Sequence, residues 1–525
     1  MAEVPSPIFN HNPTTKRCLP PPSTSGSQTL VSSTPTPETQ QPEKEQPETD
    51  PELTPEAEPG KEKETKTLAA LAKPPETPVP PRPATPVREP TPPPPAPSPC
   101  IFLTGATGFL GKVVLEELLR RSGELQINKI IILIRPKNGK GARARLLREL
   151  IKSPCFANLS PQWPGLVQVV EGDIVEANCG IEEEIYEEIC AEITHVIHCA
   201  GTVNFSLPLR EAAKHNITGV VNIYNLASDC SDLQRLVVTS SAYVTPHSAQ
   251  PIQEKCLNLP LAAKDMLMVI EGGNMTEERL LGHTGHPNTY TLTKCIAENY
   301  LLERHTEEDE FPITIVRPSI ISASKKYPFP GWIDSKAAFA GFVLGIGLGV
   351  LRVIDGDSKV MLDIVPVDDV ARKLIDEALL RDINEEKKSK VVFSVSTKKF
   401  GFEVGTTATA IAEFFNSKKH TRSAKVTYIG PRNFKFKVHD YLHQKLPLLA
   451  AKTYSSVRSD EKMREETEKM GALVESINQT FPHFVHHTFD FTPEEEVTAG
   501  MDNKAYIQIV CEGVDKHILQ PARKG

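Results

Sequence analysis

The pattern of apolar and polar positions changes near residue 99. Beyond it, short apolar runs alternate with segments in which apolar residues recur every three or four positions. Residues 130–134 form an uninterrupted apolar run, which is typical of a strand buried on both faces. Residues 112–121 have helical spacing instead. This alternation predicts an α/β fold with a doubly wound parallel sheet of the Rossmann type.

Several further segments fit the same pattern. Strands are predicted at 101–103, 167–171, 195–199, 236–239, 313–316 and 391–395. Residues 406–415 and much of 455–480 are predicted to be helical. We therefore divide the ordered chain into a reductase domain at 99–375 and a smaller, α-rich C-terminal region at 376–525, for which no topology is predicted.

The N-terminal segment has a different composition. Of the 46 prolines, 27 precede Cys100, among many Thr, Ser, Glu and Lys residues. Such a segment buries too little apolar surface to offset its ordering entropy, so residues 1–98 are predicted to be a disordered tail. Two roles stay open for it, a tether and a ligand for a proline-motif-binding partner.

Charge and cysteine usage limit the cellular setting. A net charge of −8 gives no reason to expect a nucleic-acid partner. The ten cysteines include no Cys-x-x-Cys pair, which fits a reducing compartment and predicts no metal site. The N-terminus does not match a secretory signal, and the C-terminus does not match a retention or peroxisomal tripeptide. We expect a cytoplasmic protein, and peripheral attachment to the endoplasmic reticulum or the peroxisome stays open.

One apolar segment raises the question of a membrane. Residues 337–351 are uncharged, but they fall short of the roughly 20 residues needed to span a bilayer. The four glycines among them weaken a helix in water and allow close packing. We interpret the segment as a buried pocket lining, with peripheral lipid contact as the alternative.

A glycine-rich loop lies between the first predicted strand and the first predicted helix. Its spacing, Gly-x-x-Gly-x-x-Gly, is a variant of the dinucleotide fingerprint. The glycines allow a tight turn, close approach of the pyrophosphate to backbone N–H groups, and packing of the helix on the strand. The helix N-terminus adds partial positive charge. The loop residues assigned to the cofactor are Gly105, Thr107, Gly108, Phe109, Leu110 and Gly111.

The residues after the second strand indicate which dinucleotide is bound. NAD sites usually have an acidic residue there, which binds the ribose 2′-hydroxyl. Here Arg135 follows the strand and Arg145 comes shortly after, which suits the 2′-phosphate of NADPH. After the third and fourth strands, we assign Asp173, Ile174, Ala200 and Gly201 to the same cofactor.

Candidate catalytic residues lie on a predicted helix and at a strand end. Tyr290 and Lys294 are four residues apart and therefore share one helix face. We expect the ammonium to lower the pKa of the phenol, and Lys294 also to bind the nicotinamide ribose. Ser241, with Ser240 as the alternative, follows a strand and would donate a hydrogen bond to a carbonyl. Together, Ser241, Tyr290 and Lys294 form a carbonyl-reducing set.

Read together, these strings resemble the extended short-chain dehydrogenase/reductase superfamily, and within it the alcohol-forming fatty acyl-CoA reductases of the male-sterility type. The resemblance covers about residues 100–375. It is carried by Thr-Gly-Ala-Thr-Gly-Phe-Leu-Gly at 104–111, Leu-Ile-Arg-Pro-Lys at 133–137, Pro-Asn-Thr-Tyr at 287–290, Ala-Glu at 297–298, Arg-Pro-Ser-Ile at 317–320, Phe-Pro-Gly-Trp-Ile-Asp at 329–334 and Asp-Ile-Val-Pro-Val-Asp at 363–368.

The resemblance implies a specific reaction. NADPH would reduce a long-chain acyl-CoA to a primary alcohol through an aldehyde, in two hydride transfers. Ser241 and Tyr290 would hold the oxyanion, and residues 337–351 would line the acyl chain. The C-terminal region, 376–525, would then be associated with the substrate.

Two departures from the family pattern leave other functions open. Gly201 replaces a usual second alanine, and Phe205 is followed by Ser206 where an acidic pair is frequent. The latter stretch resembles reductase domains that accept a carrier-bound thioester. A reductase or epimerase of a nucleotide sugar or other small carbonyl is a further alternative. A non-catalytic NADP-binding regulator or scaffold is the alternative from another class.

Overall fold

The computed structural model describes residues 98–305, 311–381, 389–396, 401–418, 423–495 and 502–521. The predicted disordered tail lies outside these residues, apart from Ser98. The strands are β1 Cys100–Thr104, β2 Lys129–Ile134, β3 Val167–Glu171, β4 His195–His198, β5 Arg235–Thr239, β6 Ile252–Gln253, β7 Ile313–Pro318, β8 Ile320–Ser322, β9 Val353–Asp355, β10 Met361–Leu362, β11 Ile364–Pro366, β12 Lys390–Ser394, β13 Phe402–Glu403, β14 Tyr428–Gly430 and β15 Phe491–Thr492.

Helices separate most of the strands. The α-helices are α1 Phe109–Arg120, α2 Ala142–Arg145, α3 Glu183–Cys190, α4 Leu209–Ala213, α5 Gly219–Asp229, α6 Ala263–Gly272, α7 Glu277–Thr284, α8 Thr289–Arg304, α9 Ala338–Gly347, α10 Val367–Leu379, α11 Val404–Ser417, α12 Phe434–Asp440, α13 Leu446–Val457, α14 Glu461–Thr480, α15 Pro482–His486 and α16 Asn503–Gly513. Four π-helical segments extend or join them, at Leu146–Ile151, Lys214–Thr218, Tyr441–Lys445 and Val514–Leu519.

Seven strands form the main sheet, in the order β12-β7-β5-β4-β1-β2-β3. Every pairing in it is parallel. The strand order reverses between β1 and β4, and in such sheets ligands bind beyond the carboxyl ends of the strands at the point of reversal. The predicted doubly wound Rossmann-type fold is confirmed, and the sheet places the loops after β1 and β4 side by side.

The two faces of the sheet bury different residues, because side chains alternate along each strand. Phe102 faces a core built with α3, α5 and α8. Its neighbours Ile101 and Leu103 face a second core, built with α1 and α10. β1, β2 and β5 are buried on both sides, which explains the apolar runs at 101–103, 130–134 and 236–238.

A third core belongs to the C-terminal helices. Phe342 of α9, Ile411 of α11, Ile477 of α14 and Val510 of α16 are buried in it together. The α-rich character of this region is confirmed, as is a helix across 406–415. The predicted helical stretch 455–480 is two helices, because α13 ends at Val457 and Asp460 caps α14 by accepting a hydrogen bond from Met463 N at 2.9 Å.

The structure interleaves elements across residue 375. β12 follows that position in the chain but forms the seventh strand of the main sheet. Conversely, α9 precedes it but packs in the core of the C-terminal helices. The boundary at 375 stays a prediction about how the chain divides, and the contacts of β12 and α9 cross it in both directions.

Candidate active site

The glycine loop is held so tightly that side chains have no room. Gly105 has φ +75°, and a Cβ there would lie 2.7 Å from the backbone nitrogen of Ala200. A Cβ on Gly111 would lie 2.1 Å from the carbonyl oxygen of Gly105. The first glycine therefore lets the loops after β1 and β4 meet, and the third lets α1 start against the turn.

The N-terminus of α1 is open for a ligand. Gly108 is its N-cap residue, no side chain caps the first turn, and that turn contains no acidic residue. Its N–H groups and the helix dipole therefore favour an anion. Because a Cβ would fill the cradle formed by this loop, the site fits the pyrophosphate of a nicotinamide dinucleotide.

A cavity of about 750 Å³ opens beside this loop. It is bordered by the ends of β1 to β4 and by residues from the C-terminal helices. Nine of the predicted cofactor residues line it: Gly105, Thr107, Gly108, Arg135, Arg145, Asp173, Ile174, Ala200 and Gly201. The other predicted cofactor residues do not line it: Phe109, Leu110 and Gly111 belong to the first turn of α1, and Tyr290 and Lys294 lie on α8.

The two predicted arginines have different surroundings. Arg135 is 44% exposed and lies 3.5 Å from Asp173, so its guanidinium faces the cavity and solvent. Arg145 is buried, and it donates to the Arg135 carbonyl at 2.8 Å and to Thr107 Oγ1 at 3.0 Å. Glu149 accepts its remaining bonds at 2.7 and 3.2 Å. Arg145 thus ties the glycine loop to the end of β2.

Glu149 is a cavity residue that the sequence reasoning missed. Arg145 and Arg148 hold the pKa of its carboxyl at about 2, so it is ionised and paired. The expectation of cations alone beside the second strand is therefore incomplete. An arginine with an acidic residue four positions later in a helix was the available signal, because such pairs share one helix face.

The predicted catalytic residues come together. Asn288 caps α8 by accepting a hydrogen bond from Thr291 N at 2.9 Å, which fixes the turn that carries Tyr290. Ser241 follows β5 and lies near enough to Tyr290 to oppose the rise in the pKa of its phenol. Lys294 Nζ donates to the Thr239 carbonyl at 2.9 Å. These side chains therefore converge at the carboxyl end of β5.

This group adjoins the cavity through two of its lining residues. A Cβ on Gly201 would lie 3.4 Å from Lys294 Nζ, so glycine leaves the ammonium accessible from that side. The ring of Phe205 lies 5.1 Å from that of Tyr290. Ser240, the alternative serine, is buried, and within the described residues its hydroxyl has no hydrogen-bond partner. The geometry favours Ser241 over Ser240.

The protonation states differ from the expectation. Burial raises the pKa of Tyr290 to about 12, with Ser241 opposing the shift. Burial lowers the pKa of Lys294 to about 8, with Glu298 and Cys199 opposing. The phenol is therefore protonated at neutral pH, and in this structure Lys294 does not lower its pKa. A protonated phenol is the form that can donate to a developing alkoxide.

A buried ion pair between Arg317 and Glu298 lies one helical turn beyond Lys294. Arg317 donates to Glu298 from Nε at 2.9 Å and from Nη2 at 2.5 Å, and both side chains are almost fully buried. Glu298 lies one turn after Lys294 on α8. Both residues belong to the strings at 297–298 and 317–320, and the position of Glu298 four residues after Lys294 was the available signal for a role beside the lysine.

The strings at 329–334 and 363–368 each hold a loop of the structure in place. Asp368 accepts hydrogen bonds from the backbone N–H groups of Lys325, Lys326 and Tyr327, at 2.8 to 3.0 Å. Gly331 has φ +80°, and a Cβ on Gly513 would lie 2.0 Å from its carbonyl oxygen. These strings therefore fix one loop and dock α16 against it.

The apolar segment 337–351 is only partly a pocket lining. α9 occupies most of it and is buried in the C-terminal core, while Ala337, Ala338 and Gly341 at its N-terminal end line the cavity. From α14 and its end come Leu473, Ser476, Ile477 and Phe481. Within the described residues, no helix is both long and apolar enough to cross a bilayer.

Comparison with solved structures supports the fold. The chain is similar to the terminal R domain from the myxalamid PKS-NRPS biosynthetic pathway, with a TM-score of 0.55 and 19% identity over 80% of this chain and 91% of that one. At this identity the likeness concerns the fold alone. Together with the glycine loop at the point where the strand order reverses, it defines a Rossmann-type protein with a site for a nicotinamide dinucleotide.

Sequence relatives give the family. Residues 103–374 match the family model of the male sterility protein, and this chain belongs to that family. It is 34% identical to Fatty acyl-CoA reductase wat of Drosophila melanogaster over 53% of each chain. It is 27% identical to Fatty acyl-CoA reductase 2 of Mus musculus over 80% of this chain and 84% of that one. The chain thus spans about half of the fly relative and most of the mouse relative.

Proposed function

We propose that this protein reduces long-chain fatty acyl-CoA to a primary alcohol with NADPH, in two successive hydride transfers. The observation that carries the proposal is the convergence of Ser241, Tyr290 and Lys294 beside the cofactor cavity. The names of the relatives, all fatty acyl-CoA reductases, support the substrate class.

The cavity favours the phosphorylated cofactor. Arg135 and Lys137 line it where the second strand ends, which is where a 2′-phosphate would lie. The carboxylate of Glu149 is neutralised there by Arg145 and Arg148. Arg135 pairs with Asp173 at 3.5 Å, and its side chain is still 44% exposed. A guanidinium that is exposed and only weakly paired can bind phosphate with two donors.

The residues around the reacting carbonyl have separate tasks. The nicotinamide coenzyme supplies a hydride in each of the two steps. Ser241 and Tyr290 donate hydrogen bonds to the carbonyl oxygen and stabilise the negative charge that develops on it. In the first step the oxyanion collapses to the aldehyde, the C–S bond breaks and coenzyme A leaves as the thiol. In the second step Tyr290, whose pKa is about 12, transfers its proton to the alkoxide and so gives the alcohol. Lys294, held by the Thr239 carbonyl, positions the ribose and provides positive charge.

The opposite wall of the cavity suits an acyl chain. Gly341, Leu473, Ile477 and Phe481 present apolar surface there, across from the glycine loop. An alkyl chain gains roughly 0.8 kcal/mol for each methylene buried on such a surface. The hydroxyls of a sugar substrate would find no hydrogen-bond partners on these side chains, so the wall favours a lipid over a nucleotide sugar.

The test is NADPH oxidation with palmitoyl-CoA, followed by chromatography of the lipid products. We expect two NADPH oxidised for each hexadecanol formed, because thioester and aldehyde are reduced in turn. The same acyl group on a carrier-protein arm is the matched control for the alternative thioester. Normal NADPH binding without turnover of any long-chain acyl-CoA would contradict the proposal. The cytoplasmic location and the proline-motif partner stay predictions.

A further inference from the structure

The helical hairpin formed by residues 432–458 and α14 exposes an unusual amount of apolar surface on its first arm. That arm is one continuous helix made of α12, the π-helical segment Tyr441–Lys445 and α13, and α14 is the second arm. Among the described residues, nine of the fifteen exposed large apolar side chains lie between Phe434 and Met463. Phe434 is 80% exposed and Val457 is 81% exposed. Soluble surfaces rarely gather such residues without a binding role.

These side chains form one stripe along the hairpin. Phe434, Val438, Leu442, Leu446 and Leu449 are exposed and follow one another at intervals of three or four residues. In a helix, that spacing places side chains on a common face. The stripe is therefore continuous along the solvent side of the hairpin, and we call it the hairpin stripe.

The charge of the same segment identifies the partner. Residues 432–458 contain six Lys and Arg residues and one acidic residue, Asp440, in a chain whose net charge is −8. Three of these cations pair with carboxylates of the protein, namely Arg432, Lys445 and Lys452. Lys435 and Lys437 are exposed next to the hairpin stripe. Tyr441 and Tyr454 are also half exposed, and tyrosine is enriched at the depth of lipid headgroups.

We propose that the hairpin stripe docks on an anionic lipid bilayer, with its apolar side chains among the acyl chains and its lysines at the headgroups. Apolar residues flanked by cations are typical of helices that lie in the membrane interface. A second copy of the chain fits less well, because a twofold contact would bring the same lysines face to face.

The position of the hairpin agrees with this role. A groove of about 820 Å³ separates α13 from α14, and it is lined by Leu448 and Val474 with Lys437 and Lys452. The opposite side of α14 presents Leu473 and Ile477 to the active-site cavity. A single helix therefore lies between the proposed membrane surface and the acyl-binding wall. This placement suits substrates and products that partition into lipid.

The test is cosedimentation of the full chain with vesicles, without substrate. We expect binding to phosphatidylcholine vesicles that contain phosphatidylserine, and weak binding to phosphatidylcholine alone. The double variants Phe434→Glu/Leu442→Glu and Lys435→Glu/Lys437→Glu should each reduce the bound fraction by about tenfold or more. The charge-dependent part should also fall at high salt.

Two exposed apolar residues outside the hairpin provide the matched control. Leu261 and Met268 are about half exposed at α6, and Leu261→Glu/Met268→Glu should bind vesicles like the unchanged chain. NADPH binding, measured by fluorescence, checks that every variant is folded. Equal vesicle binding by the hairpin and control variants would overturn the proposal. The proposal would also be overturned if light scattering showed a dimer that depends on the hairpin stripe and if this dimer did not bind vesicles. Because no turnover is measured, failure of the proposed function leaves this result unaffected.

Discussion

The two sides of the active-site cavity are built in different ways. On the nucleotide side, the contacts are set by the backbone, and Gly105 and Gly111 stand where no Cβ fits. On the helical side, Leu473 and Ile477 provide ordinary apolar surface. Binding a pyrophosphate requires a particular backbone geometry, whereas binding an alkyl chain requires only apolar volume. A short motif can therefore specify the first side but not the second.

The largest expected effect separates catalysis from cofactor binding on the nucleotide side. Tyr290→Phe removes one donor to the developing alkoxide, so kcat should fall by about 10² to 10³-fold or more. The dissociation constant for NADPH should stay within about twofold, because the ring and its contact with Phe205 remain. Single-turnover kinetics and fluorescence titration measure the two quantities. Substantial activity in the variant would refute the assigned proton donor.

A matched pair of glycine substitutions compares the nucleotide loop with the contact between α16 and the loop at Gly331, which lies outside the cavity lining. Gly111→Ala and Gly513→Ala would place a Cβ 2.1 Å and 2.0 Å from a carbonyl oxygen, respectively. Each should lower the free energy of unfolding by about 1–3 kcal/mol or more, as overpacking does. Only Gly111→Ala should also abolish NADPH binding, since only it alters the pyrophosphate loop. Calorimetry and NADPH titration test this, and equal loss of NADPH binding in both variants would show that the two contacts are not separable.

The choice between NADPH and NADH depends on one exposed side chain. Arg135→Ala should weaken NADPH by about tenfold or more and leave NADH nearly unchanged, because only NADPH carries the 2′-phosphate. Arg143→Ala is the control, since Arg143 is exposed on α2 and does not line the cavity. Titration with both cofactors gives the ratio. A similar loss for both in Arg135→Ala would undo the assignment.

The smallest effect is a pH dependence of cofactor affinity. The pKa of Lys294 is about 8, below its usual value because the amine is buried. The ammonium is therefore present below pH 8 and lost as the pH rises through it, so NADPH should bind a few-fold more weakly at pH 9 than at pH 7. Lys294→Met should remove this slope. A profile that is the same in both proteins would exclude Lys294 as its source.

Much of the fold was predictable from the sequence, because the central strands are buried on both faces. The runs at β1, β2, β5 and β12 each contain an uninterrupted apolar segment of three residues or more. The position of β12 in the strand order of the main sheet was not predictable, because the sequence of a buried strand does not indicate which strand it pairs with. Its position beside β7 depends on a return of the chain to the edge of the sheet.

The candidate site was predictable where residue type and spacing are tied to chemistry. Ser241, Tyr290 and Lys294 come together as expected. The raised pKa of Tyr290 was not expected, because the degree of burial is set by packing that no local pattern encodes. The contacts of Arg145 were not predictable either, because its guanidinium donates hydrogen bonds within the protein, to Glu149, to Thr107 and to the carbonyl of Arg135.

The interleaving of elements also governs the order in which the chain can fold as it is synthesised. The sheet through β7 is complete once residue 318 has been made, apart from its last strand. The apolar helix α9 follows, but its partners α11, α14 and Val514–Leu519 come much later. Until then it presents an uncovered apolar surface, which is an aggregation hazard for a nascent chain. During synthesis, residues 338–347 therefore lack these partners until the last segment, Val514–Leu519, has been made.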